Sequence, residues 1–104
     1  MPTPSRGEVW VVDLGLVAKV RPCLVLNVAI APQDRVLATL VPHTTAVHGT
    51  RFEVSVRASF LRPGAFDAEQ LVTIPHTKLV RKLGQLPADQ LAPIEEAVRR
   101  WLGL

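Results

Sequence analysis

Three apolar runs rich in β-branched residues occupy most of the first 41 positions, and they restrict the fold more than any other feature. The first, Arg6-Gly7-Glu8-Val9-Trp10-Val11-Val12-Asp13-Leu14, closes at Gly15; the second runs from Cys23 to Ala29 and the third from Arg35 to Val41. Runs of this length and composition, bounded by turn residues, read as strands. Pro32-Gln33-Asp34 makes a tight turn between the second and third, which predicts an antiparallel hairpin. A fourth strand is predicted from Arg51 to Val56, where Phe52, Val54 and Val56 alternate with Arg51, Glu53, Ser55 and Arg57 and leave one side wet. His48-Gly49-Thr50 turns the chain into it.

Beyond that, "FLRPGAFDAE" is turn-rich around Pro63-Gly64, and "QLVTI" and "KLVRKLG" are strand-like pieces bracketing Pro75-His76-Thr77. The helical signal comes last, over residues 87–102. Leu91, Ile94, Val98, Trp101 and Leu102 recur at helical spacing, acids lead, Arg99 and Arg100 trail, and Gly103 stops the element. Pro93 removes one backbone hydrogen bond and is expected to divide a first turn from the main helix. Short strands at close spacing followed by one helix predict a mainly β (α+β) fold: a small, strongly bent antiparallel barrel. With 104 residues the chain is expected to be one domain: a loose start over 1–5, the barrel over 6–84 and the terminal helix.

At 48% apolar residues the chain is rich for its size, so apolar surface should remain for a partner copy. Twelve Lys and Arg against nine Asp and Glu permit a polyanionic ligand without requiring one. Cys23, the single cysteine, lies in an apolar run and reads as a small buried hydrophobe, which excludes an intrachain disulfide framework or a thiolate metal site. No metal or other cofactor is expected, because the three histidines lack ligand spacing and no phosphate-binding or dinucleotide fingerprint is present. No stretch approaches the roughly twenty apolar residues of a membrane span, and the first residues lack a signal-peptide pattern, so no membrane association and a cytoplasmic protein are expected.

Chemistry concentrates in "KVRPCLVLN" and "LVPHTTA". Arg21 precedes Pro22, whose ring holds the arginine backbone extended at a strand entrance. Its guanidinium is a charged fork matched to phosphate oxygens, though the plainer reading is a strand-end salt bridge. Thr44 and Thr45 follow Pro42 where the third strand ends, placed either to direct a hydroxyl into a groove or to satisfy local turn groups. His43, beside Thr44, could move a proton if a phosphodiester bound there, or be a packed strand-end histidine. Lys78, Arg81 and Lys82 form a charged cluster in a strand-like segment, usually a solvated face.

Taken together, "RGEVWVVDLG", "KVRPCLVLN", "LATLVPHTTAVHGTRFEV" and "FDAEQLVTIPHTKLVRKLGQLPADQL" resemble, in order and spacing, the MazF/PemK family of toxin endoribonucleases. The resemblance implies an SH3-like bent barrel with a C-terminal helix, a symmetric homodimer, and neutralisation by a cognate antitoxin. It implies metal-independent cleavage of single-stranded RNA, in which the RNA's own 2′-hydroxyl attacks to give a 2′,3′-cyclic phosphate and a 5′-hydroxyl. Position by position, the catalytic arginine falls on Arg21 and the catalytic threonine on Thr44, with Thr45 the adjacent hydroxyl. Lys19, Lys78 and Arg81 are the basic residues expected to contact RNA, and His43 is a local candidate for proton transfer or phosphate contact. Many relatives carry a longer loop after the first strand than the "GLVAKV" found here, a difference that bears on the recognition sequence.

Two other function classes remain open. The same barrel serves as a non-catalytic protein-binding toxin of the gyrase-poison type. A basic single-strand binder is disfavoured by an aromatic content of 5% with no tyrosine, since such binders need stacking platforms.

Overall fold

The computed structural model describes residues 3–16 and 19–104. Seven strands and one helix follow in order: β1 (Glu8–Asp13), β2 (Val20–Val25), β3 (Leu37–Thr44), β4 (Glu53–Ser55), β5 (Ala65–Asp67), β6 (Val72–Pro75), β7 (Leu79–Gln85) and α1 (Ala88–Leu102). They form one antiparallel sheet in the order β4-β5-β3-β2-β1-β7, with β6 also on β3. The expected bent sheet with a C-terminal helix is present, but the sheet stays open instead of closing into a barrel, with β4 and β7 at its ends.

β3 organises the bend. It pairs with β2 through Cys23–Pro42, Leu24–Val41 and Val25–Leu40, with β6 over Leu37–Leu40, and with β5 through His43 and Thr44. Val41 and Pro42 fall in the gap between β6 and β5, a position that tolerates a residue with no N–H to donate.

Period-two alternation on these strands feeds two cores. Val9, Leu24, Val41 and Phe66 point to a core closed by Leu86, Ile94, Ala97 and Val98 of the C-terminal segment. Val12, Cys23, Val25, Ala38 and Leu40 point the other way, onto Ile74 and Leu79. Strands apolar on both faces are thus explained by burial on both faces.

Several boundaries differ from the sequence expectation. β2 starts at Val20 and ends at Val25, so Arg21 and Pro22 lie inside the strand and Leu26–Ala29 outside it. The Asn27 side chain ends the ladder, accepting the Thr39 N–H at 2.9 Å in place of a backbone carbonyl. β3 continues past Val41 to Thr44 because β5 gives it a new partner. β5 itself lies within the turn-rich stretch; three residues are too few for periodicity to reveal. β4 is reduced to Glu53–Ser55.

The helix runs unbroken through Pro93, which faces solvent near the first turns. Trp101 is 45% exposed despite its helical spacing, and lays its ring edge-on to Phe52 with centroids 5.2 Å apart. Gly103 at φ +72° supplies the left-handed cap, and Leu104 N–H closes on the Arg99 carbonyl at 2.9 Å. No described helix is long and apolar enough to cross a membrane.

Candidate functional site

Strand register brings the two sequence-predicted residues together. Each rung of an antiparallel ladder moves one residue forward on one strand and one back on the other. The last β2–β3 rung is Cys23–Pro42; continued for two residues, the register sets Arg21 opposite Thr44, on the same face. Both border a cavity of about 620 Å³, with Leu14, Pro42, His48, Asp67, Gln70 and Ile74 around them.

The Thr44 hydroxyl is oriented by the turn that follows it. Its oxygen accepts the Ala46 N–H at 3.1 Å, which leaves the hydroxyl hydrogen to point elsewhere. Both functions considered from sequence, local turn bonding and a hydroxyl in a groove, therefore hold for the same atom.

Alternation then sends the neighbours to the opposite side. His43 and Thr45 border a second cavity of about 480 Å³ with Lys19, Pro22, Phe60, Arg62 and Arg81, and Arg21 borders both cavities. The end of β3 is a wall, Arg21 stands across it, and the two sides differ in charge. The Thr44 side carries Asp67, whereas no carboxylate is among the described residues lining the His43 side. Lys78 lies in the 3₁₀ turn His76–Lys78 and borders neither cavity. Lys82, from the same cluster, is bound to Glu8 at 2.8 Å. Burial would raise the Glu8 carboxyl, but bonds from Lys82, the Ser5 N–H and the Trp10 indole outweigh it and hold the pKa below the usual value.

His43 is 3% exposed, packs edge-on against Phe66 at 5.0 Å, and its Nε2 is buried with no hydrogen-bond partner. Desolvation pushes its pKa below the ordinary histidine range, so the imidazole is neutral at neutral pH. Cys23 is also inert: burial pushes its thiol up to about 12, and its Sγ donates to the Arg21 carbonyl at 3.6 Å.

Two backbone features shape the site. Gly64 lies so close to the end of β3 that a Cβ there would sit 2.2 Å from the Thr44 carbonyl oxygen and 2.8 Å from His43 Cε1. Lys19, directly before β2, has φ +61°, a conformation that a non-glycine residue adopts only at a cost of order 1–3 kcal/mol. Its N–H reaches the Gly15 carbonyl at 2.7 Å and its carbonyl takes the Leu14 N–H at 2.9 Å, closing the β1–β2 connection.

A carboxylate clamp sets the rim. Glu53 accepts the N–H groups of His48 at 2.9 Å and Thr50 at 2.6 Å, folding the His48–Thr50 turn beside the Thr44 cavity. These backbone bonds hold the Glu53 carboxyl below its usual pKa.

Four polar lining residues escaped the sequence reading as site residues: His48, Arg62, Asp67 and Gln70. Arg62 had a signal, since Arg62-Pro63 repeats the Arg21-Pro22 pairing. Asp67 and Gln70 are brought in by β5 and the 3₁₀ turn Ala68–Gln70, elements with no pattern of their own, and His48 by the turn that Glu53 holds. Among the described residues no group of three or more His, Cys, Asp and Glu is placed to hold a metal ion.

A family model described as PemK-like, MazF-like toxin of type II toxin-antitoxin system matches residues 5–102. Among solved structures, an endoribonuclease from a mycobacterial species in complex with its cognate antitoxin is 25% identical, with TM-score 0.84 over 97% of this chain and 96% of that one. The Mycobacterium tuberculosis toxin MazF-mt6 is 29% identical, with TM-score 0.79 over 93% and 97%. A chain of a MazE-MazF structure (Form-I) from Deinococcus radiodurans is 26% identical, with TM-score 0.79 over the whole of both chains. Among curated proteins none matches this sequence.

Proposed function

Because the chain belongs to the PemK-like, MazF-like toxin family of type II toxin-antitoxin systems, we propose that it is an endoribonuclease that cuts single-stranded RNA by attack of the RNA's own 2′-hydroxyl. The observation that carries this reading is the meeting of Arg21 and Thr44 across one cavity. As the 2′-oxygen bonds to phosphorus and the P–O5′ bond breaks, negative charge builds on the non-bridging oxygens. The Arg21 fork and the Thr44 hydroxyl, whose oxygen accepts from the Ala46 N–H and whose hydrogen is left to donate, are suited to that charge. The substrate supplies the nucleophile, so DNA is not cut and the proposed reaction calls on no metal. His43 and Thr45, which border the other cavity, are assigned to phosphate contact on that side.

Lys19 and Arg81 border the basic cavity and are assigned to RNA backbone contact; Lys78, outside both cavities, is assigned to the flanking strand. An acidic antitoxin segment along that same basic face would compete with RNA. Assembly as a homodimer would cover exposed apolar side chains such as Val20, Val28, Val80 and Leu102.

The test is incubation of the purified protein with single-stranded RNA in EDTA, followed by analysis of the product ends. Fragments with 2′,3′-cyclic phosphate and 5′-hydroxyl ends are expected. An absence of cleavage combined with tight binding to a topoisomerase would replace this reading with the protein-binding toxin.

A further inference from the structure

The 480 Å³ cavity on the His43 side is more basic than cleavage of one phosphodiester requires. Arg21 can serve the scissile phosphate from the shared wall, yet Lys19, Arg62 and Arg81 also border this cavity, with no carboxylate among the described lining residues. Apolar Val11, Phe60, Leu61 and Leu83 complete the lining, and low-dielectric walls strengthen the field of the cations between them.

The loop bearing Arg62 is seated firmly. Phe60 lies against Gly84 so closely that a Cβ there would sit 2.5 Å from the ring, and the Leu61 N–H closes on the Ala58 carbonyl at 3.0 Å. On the other side Gly64 abuts β3. Arg62 is thus carried between two fixed points, and Arg81 comes from β7 opposite Val11. His43 also borders this cavity and brings no negative charge to it.

Resting on the RNA-cleaving reading, we infer that Arg62 and Arg81, with Lys19, form a cradle for a backbone phosphate adjoining the scissile one, on the His43 side of β3 only. Beyond the scissile phosphate at Arg21 and Thr44, the rest of the Thr44 side, where Asp67 stands and no Lys or Arg other than Arg21 is among the described lining residues, takes the uncharged part of the neighbouring nucleotide. RNA therefore crosses the wall with its charge held unevenly, and the role of the cradle is binding and not bond breaking.

The experiment compares the wild-type protein, Arg62→Gln/Arg81→Gln, and a charge-matched control, Arg35→Gln/Arg57→Gln, whose sites border neither cavity. The probe is a fluorescein-labelled, single-stranded 2′-O-methyl RNA of random sequence, which offers no 2′-hydroxyl nucleophile. Binding is followed by anisotropy across a salt series. Each phosphate neutralised in a single strand contributes about 0.7 to the slope of log K against log salt, so the cradle variant should lose up to about 0.7. The control should lose far less, and in cleavage assays the cradle variant should raise KM more than it lowers kcat. An unchanged slope, or an equal loss in the control, overturns the cradle. If the wild-type protein binds the probe with the cradle-dependent slope but cuts no RNA, the cradle stands and the nuclease reading falls; cleavage with an unchanged cradle slope gives the reverse.

Discussion

Arg21 and Thr44 face each other two residues beyond the last paired rung of β2 and β3, where the ladder has ended but its register still governs direction. Each is still paired along its other edge, Arg21 with Val12 of β1 and Thr44 with Ala65 of β5, and both border one cavity. A charged fork and an oriented hydroxyl can then converge on a ligand.

Arg21→Ala should lower kcat for RNA cleavage by about 10²–10³-fold, the typical cost of losing one donor to a developing oxyanion. Thr44→Ala should cost a similar factor, whereas Thr44→Ser, which keeps the oxygen that accepts from Ala46, should retain most of the activity. Single-turnover cleavage with circular dichroism as the fold control checks both. Wild-type rates in Arg21→Ala would remove this residue from the mechanism.

Gly64→Ala should destabilise the protein by about 1–3 kcal/mol and reduce cleavage together. The new methyl group would meet a backbone oxygen, which cannot swing aside as the end of a flexible side chain can. Urea unfolding gives the first quantity. A substitution tolerated without loss would show that the loop and β3 leave room for a methyl group.

His43 makes stability depend on pH in a defined direction. Its folded pKa lies below the ordinary value of 6.5, so the unfolded chain binds the proton more readily. The stabilising contribution is complete above about pH 6.5 and is lost as pH falls through the lowered folded value. Urea midpoints should decline over that interval, and His43→Asn should flatten the decline. Carboxylate effects, such as that of Glu8, enter only at lower pH because its pKa lies below 4.5.

Glu53→Ala should release the His48–Thr50 turn without unfolding the sheet. Hydrogen exchange at the His48 and Thr50 amides should rise sharply in this variant, while the amides of β2 and β3 keep their protection. Unchanged exchange at both turn amides would show that the clamp does not hold the turn.

Much of the architecture was legible because its signals are local. Alternation and β-branched composition marked β1 to β3, helical spacing marked α1, and Gly103 marked its end. What failed was also local in cause: β5 has three residues, and Arg21 and Pro22 were set ahead of β2 because Pro22 signalled an entrance. Proline was tolerated inside both β2 and β3 because Pro22 lies beyond the last β2–β3 rung and Pro42 between two partners of β3.

The amino-acid order alone decided which segments extend, which one coils, and which fork, alcohols and imidazole stand at the strand ends. Only the tertiary structure decided that Arg21 lies across from Thr44, that His43 turns to the other side, and that Arg62 and Asp67 join opposite cavities. The reason is physical: extension and coiling follow from neighbours along the chain, whereas register follows from packing between distant segments, and a slip of one residue would exchange every face.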